Sequence, residues 1–295
     1  MYGCPHPGVP YLRHMRSCRW LAGPVLCISL TIAAQSDTTA RVALSQALDA
    51  LKEARRDGQR DTINAAIKHH LRSVLEQDDA FTTDLGVPPL SLLDAPDGKF
   101  RLLTWNIPYA DGSNLFEGFL LVRDKHRHVL YELRDMTPRI ENAAYKMLGP
   151  DYWYGALYYA VIPVRRGAKT WYTLLGWKGY SNVETRKVID VLGFKGAVPQ
   201  FGAPLFGEDR VKRTREIFGF SFQSSMSLKW EKEFNRIVVD HLAPMKPEFE
   251  GQAAFMGPDL SYDAYVWEKD HWSYQRDVDV RQQDMNRPWN RPPKE

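Results

Sequence analysis

The chain of 295 residues has three cysteines, Cys4, Cys18 and Cys27, all within its first 27 positions. Beyond them it offers no disulfide, no thiolate nucleophile and no cysteine-based metal site. It also lacks charge of one sign. Arg13, Arg16 and Arg19 account for the whole net charge of +3, and no acid accompanies them in the first 34 residues. The remaining chain is neutral, which argues against a general polyanion binder and against nucleic acid as a partner. No HExxH, GxSxG, P-loop or GxGxxG motif occurs, so zinc-protease and nucleotide chemistry have no support and no cofactor is expected. No repeat of fixed period marks a solenoid or propeller. What is present is an ordinary globular composition, 44% hydrophobic and 25% charged, with 12% aromatic residues and nine Trp.

The first 34 residues read as an export signal. Arg16 and Arg19 form a basic region, and Trp20 to Ala34 is an apolar stretch of 15 residues ending in Ala33-Ala34. That layout is a secretory signal peptide cleaved near Ala33-Ala34, with Met15 as a second possible start. The stretch is shorter than the ~20 apolar residues of a spanning helix, so no permanent membrane span is expected. Leu26 before Cys27 is too bulky for a lipid-attachment cysteine, and Arg16 and Arg19 are not the adjacent pair of twin-arginine export. A periplasmic or secreted protein follows from this reading.

Residues 35–96 read as a helical segment. Val42, Leu44, Leu48, Leu51 and Ala54 recur at helical spacing, Asp57-Gly58 breaks the run, and Asp61 or Thr62 caps a second helix bearing Ile63, Ile67, Leu71 and Val74. His69 and His70 on that helix are expected to point one to solvent and one to the edge of the apolar face. Residues 78–99 are a connection. Residues 97–272 read as an antiparallel β-rich domain, with strands over 100–108, 115–123, 128–134, 152–164, 170–177, 186–194, 216–223, 225–230, 235–242 and 260–267. Thr137-Pro138 starts a short helix ending at Gly149-Pro150, and 195–215 is irregular. Residues 273–295 are a polar, Pro-containing tail.

Several strands are apolar on both faces. Trp153, Gly155, Leu157, Tyr159 and Val161 oppose Tyr154, Ala156, Tyr158, Ala160 and Ile162, and Glu117 is the only charge within 115–121. Strands of this kind are covered on both faces. The fold class is therefore α+β: an N-terminal helical segment packed on a curved antiparallel β-meander, as an open barrel or a sandwich. The segments Asp97–Trp105, Trp153–Tyr159 and Tyr172–Trp177 resemble those of exported β-rich bacterial proteins with no assigned activity. The resemblance spans roughly residues 97–270. It implies an exported β-rich protein and transfers no functional residue.

Candidate chemistry is sparse. Asp240-His241 follows the apolar run Ile237–Val239, and a histidine suits general-base work near neutral pH. Adjacent side chains in a strand point to opposite faces, so the two pair only where the strand turns. Asp259 and Asp263, with Glu248 and Glu250 earlier, are the calcium candidates, and turn formation explains these acids equally well. Arg210, Lys212, Arg213 and Arg215 form the densest basic run, flanked by acids and read as a solvated loop. Trp153, Trp171, Trp177 and Tyr180 are the ligand-binding candidates, because aromatic faces suit sugars and apolar ligands. Trp177–Asn182 sets two rings around a polar turn, and Trp267, His271 and Trp272 form a lesser set.

The leading expectation is a non-enzymatic envelope protein binding a small molecule, a glycan or an envelope protein through an aromatic-lined β surface. One alternative is a hydrolase of envelope or extracellular polymer using His241 and a nearby carboxylate. The other is a structural component of an envelope assembly.

Overall fold

The computed structural model describes residues 26–280 apart from 126 and 208–211, with side chains from Thr39 onward. Most of the signal segment thus lies outside the described residues. Two helices, α1 (Leu26–Glu53) and α2 (Asp57–Leu75), precede thirteen strands arranged in three antiparallel sheets. The first sheet is the meander β1 (Ser91–Asp94), β2 (Phe100–Pro108), β3 (Asn114–Asp124) and β4 (Arg127–Arg134). The second is β5 (Leu157–Arg166), β6 (Lys169–Gly179), β7 (Glu184–Lys195) and β8 (Val198–Phe201), with β9 (Glu216–Ser221) sharing the outer edge of β7. The third is β10 (Leu228–Glu231), β11 (Arg236–Pro244), β12 (Met256–Glu268) and β13 (His271–Gln275).

The sheets stack rather than close, and each contact between layers has its own core. Leu44, Leu48 and Leu51 of α1 and Ile67, Leu71 and Leu75 of α2 pack on Leu103, Trp105, Ile107, Phe119 and Leu121 of the first sheet. Spacings of three and four residues place each trio on one helix face. Each such buried side chain contributes about 1.5–3 kcal/mol. The opposite face of the same strands, Phe100, Leu102, Phe116, Leu120 and Val122, packs on Tyr158, Tyr172, Leu174, Val188 and Leu192 of the second sheet. The far face of that sheet, Ile162, Leu175, Ile189 and Val191, packs on Ile237, Val239 and Tyr265 of the third. The two-faced strands are thus covered on both faces, those of the first sheet by helices and a sheet and those of the second by a sheet on each side. The lone charge Glu117 is met from α2, by Asn64 at 2.9 Å and Lys68 at 3.0 Å.

Several boundaries differ from the sequence expectation. Asp57-Gly58 opens α2 instead of ending α1, because Arg56 is extended and the Asp57 carboxylate takes the Ala110 N–H and binds Arg60. The chain from Trp153 to Ala156 is not strand. There the Asp135 carboxylate accepts the Gly155 N–H, and a Cβ on Gly155 would lie 2.5 Å from that carboxyl carbon. The segment 137–149 forms single 3-10 turns rather than a helix. Short strands β1 and β8 occupy segments read as connections, and β13 follows the strand read as last. Both faces of an edge strand four residues long carry too little periodicity to be seen. Among the described residues no helix is long and apolar enough to cross a membrane.

Candidate functional site

The third sheet carries the clearest polar constellation. His241 Nδ1 lies 2.7 Å from Oδ2 of Asp263 on the neighbouring strand. Asp263 is buried, and it also accepts the Tyr274 hydroxyl at 2.6 Å and the Asp277 N–H at 3.2 Å. Register explains the pairing. Val239 stands opposite Asp263, so His241, two residues on and on the same face, reaches it diagonally. Asp240 points elsewhere, and its carboxylate accepts the Ser227 N–H at 2.8 Å. The sequence pair Asp240-His241 is therefore two separate side chains, as strand alternation requires.

Opposite His241 the partner strand carries a three-residue bulge, Asp259–Leu260–Ser261, between the pairs Asp240–Tyr262 and Leu242–Pro258. Leu260 adopts φ +73° and is 88% exposed. A leucine in left-handed backbone is uncommon, and such strain gathers at sites where a bulge redirects a strand. Asp259 is tied into the bulge by the Ser261 hydroxyl and N–H. Those bonds, and more weakly the nearby His241, hold its carboxyl below the usual range. The two calcium candidates are thus engaged separately, Asp259 by Ser261 and Asp263 by His241 and Tyr274. Among the described residues no group of three or more His, Cys, Asp or Glu is placed to hold a metal.

The four aromatic candidates do not share one surface. Trp153 is wholly buried in the core between the first two sheets, which leaves it no face for a ligand. Trp171 is half-buried, its ring filling the space left by Gly193, where a Cβ would come within 2.3 Å of it. Trp177, six residues along the same strand, is half-buried against Phe116. Tyr180 is 40% exposed, with the Arg186 guanidinium 3.3 Å from its ring centre. Of the paired histidines, His69 is exposed and His70 half-buried, its Nε2 3.0 Å from the Ala40 carbonyl.

An open aromatic groove does exist, just past the Trp177–Asn182 turn. It has a volume of about 480 Å³ and lies between that turn, the end of β9 and the connection from β11 to β12. Val183, Phe222, Met245, Phe249 and Phe255 supply its apolar walls, and Asn182, Gln223 and Lys246 its polar rim. Phe249 and Phe255 stack with centres 4.3 Å apart. Phe222 is 60% exposed and Met245 74%. Sequence reading passed over these residues. The available signal was a long connection, 243–258, that carries two Met and two Phe where polar residues are expected.

Further buried ionic groups lie in or beside the second sheet. Arg215 and Asp190, both fully buried, are 3.1 Å apart, and Tyr158 donates to Asp190 at 2.9 Å. Lys178 donates to the Gly155 carbonyl, between the Phe116 and Tyr154 rings, and burial pushes its pKa down to about 8 against the pull of Asp135. Glu216 is buried at the contact of the second and third sheets, and burial pushes its pKa up to about 7. Arg213 Nε lies 3.0 Å from its Oε1, without the alignment of a hydrogen bond.

No family model, curated protein or solved structure matches this chain.

Proposed function

We propose that this is an exported cell-envelope protein that binds a small apolar ligand in the groove bounded by Phe222, Met245, Phe249 and Phe255. The observation that carries the reading is the groove itself. Large side chains stay exposed there around about 480 Å³ of open space, a size that suits a small molecule. Exposed apolar clusters on a folded surface mark binding sites more often than accident. Export rests on the N-terminal sequence. The helix α1 is compatible with it, since the packed Leu44, Leu48 and Leu51 all follow Ala34. Titration with the neutral probe N-phenyl-1-naphthylamine tests the groove. Saturable fluorescence enhancement is expected, and its loss in Phe222→Asp. An unresponsive wild-type protein would sink the reading. Mass spectrometry of the protein from its own host tests export, with a retained N-terminus counting against it.

A second reading, hydrolysis through His241, is favoured by one observation: the imidazole is held 2.7 Å from a buried carboxylate. A carboxylate bound to one ring nitrogen fixes the tautomer and turns the other nitrogen's lone pair outward, the arrangement of a general base.

A further inference from the structure

We infer that the groove and the His241–Asp263 pair are two ends of one site, which hydrolyses an uncharged carboxylic ester with an apolar acyl chain. The inference rests on the groove reading above and adds to it a reaction and a substrate class. Three observations join the two ends. His241 and Met245 lie four residues apart along β11 and its continuation, about 13 Å of extended chain, and alternation places both on one face. That continuation is real, because the Met245 N–H still bonds to the Phe255 carbonyl across the pair. The strand β9 borders the same seam. Phe218 meets Tyr265 at one end, and Phe222, just past the other end, lines the groove.

The chemistry follows from which groups are free. Nδ1–H of His241 is given to Asp263, whose second oxygen takes the Asp277 N–H, so the ring is held from behind. The side chain is 20% exposed, and among the described residues Nε2 has no hydrogen-bond partner. The described side chains include no thiol, and the Ser261 hydroxyl is donated to Asp259, so water is the nucleophile. His241 Nε2 takes a proton from water as its oxygen bonds to the ester carbonyl carbon. The tetrahedral adduct then breaks its bond to the alkoxy oxygen, and the imidazolium returns the proton to that oxygen. One ester and one water give one acid and one alcohol. The Asp259 and Asp263 carboxylates lie beside the histidine, which disfavours phosphate and carboxylate substrates. Asp263 is a positioning residue, acting through His241.

The experiment compares p-nitrophenyl acetate, hexanoate and decanoate on the full processed chain, beside N-phenyl-1-naphthylamine binding. The longer esters are expected to have kcat/KM about tenfold or more above acetate, as burial of added methylenes requires. His241→Gln is expected to lower kcat by about a hundredfold or more, with probe binding unchanged. Asp263→Asn is expected to lower kcat while KM stays constant. Should circular dichroism show His241→Gln unfolded, His241→Asn takes its place. Equal hydrolysis by wild type and a folded His241 variant overturns the reaction, and if the probe still binds, the groove reading survives. Turnover blind to chain length and to Asp263 marks adventitious surface imidazole and also overturns it. Failure of the wild type to bind the probe removes both readings.

Discussion

The two contacts between sheets use polar groups in opposite ways. Between the first and second sheets, Arg215–Asp190–Tyr158 and Lys178 are sealed within aromatic and aliphatic packing. Between the second and third sheets the packing is equally tight at Ile189, Val191, Ile237 and Tyr265, yet the seam opens at one end. There His241 is half-exposed beside the buried Asp263, the backbone is strained at Leu260 and large apolar side chains face water. A fully enclosed polar network specifies one arrangement of layers, whereas a partly open one leaves donors, acceptors and apolar surface free for a ligand. Burial therefore separates scaffold from candidate site here better than residue type does.

Breaking the sealed contact should give the largest effect. Asp190→Ala strands the buried Arg215 charge, and a loss of about 3–5 kcal/mol is expected in urea unfolding. Trp153→Ala should cost a similar ~3–5 kcal/mol by leaving a core cavity. A change in probe binding without loss of stability in that variant would return Trp153 to the ligand surface.

The second contact should respond to pH. Glu216 has a folded pKa near 7, above the 4.5 of an ordinary glutamate, so the folded state holds its proton more tightly. Its stabilisation is complete below about pH 4.5 and is lost as pH rises through 7, on the order of 3 kcal/mol in all. Thermal melts should therefore flatten over that window in Glu216→Gln. An unchanged pH dependence would show that Arg213 already neutralises the site.

At the open end, effects on stability should be smallest. Phe222→Ser removes an exposed ring, and a change within about 0.5 kcal/mol is expected alongside weaker probe binding. A large destabilisation would make the groove wall part of the core and erase the contrast.

The layered β architecture was legible because apolar residues on both faces of 115–121 and 153–162 demand two covers. The turns at Asp97-Gly98 and Ala110–Ser113 were legible for their chemistry. His241 was legible as a residue type, but its partner was not. Strand alternation excluded Asp240, yet the pairing with Asp263 depends on a register that a three-residue bulge shifts, and no local pattern encodes it. Trp153 and Tyr180 look alike in sequence, and only tertiary packing makes one core and the other surface. The groove was hidden for the same reason, since its walls come from three segments far apart in the chain.

The stacking also distributes the fully buried indoles. Trp105 lies in the contact of helices and first sheet, Trp153 in that of the first and second sheets, and Trp272 in that of the second and third. Each layer thus holds its own optical reporter. Single replacements of these indoles by phenylalanine would let emission wavelength follow each contact separately during unfolding. A chain that comes apart layer by layer would then be told from one that melts as a unit by light alone.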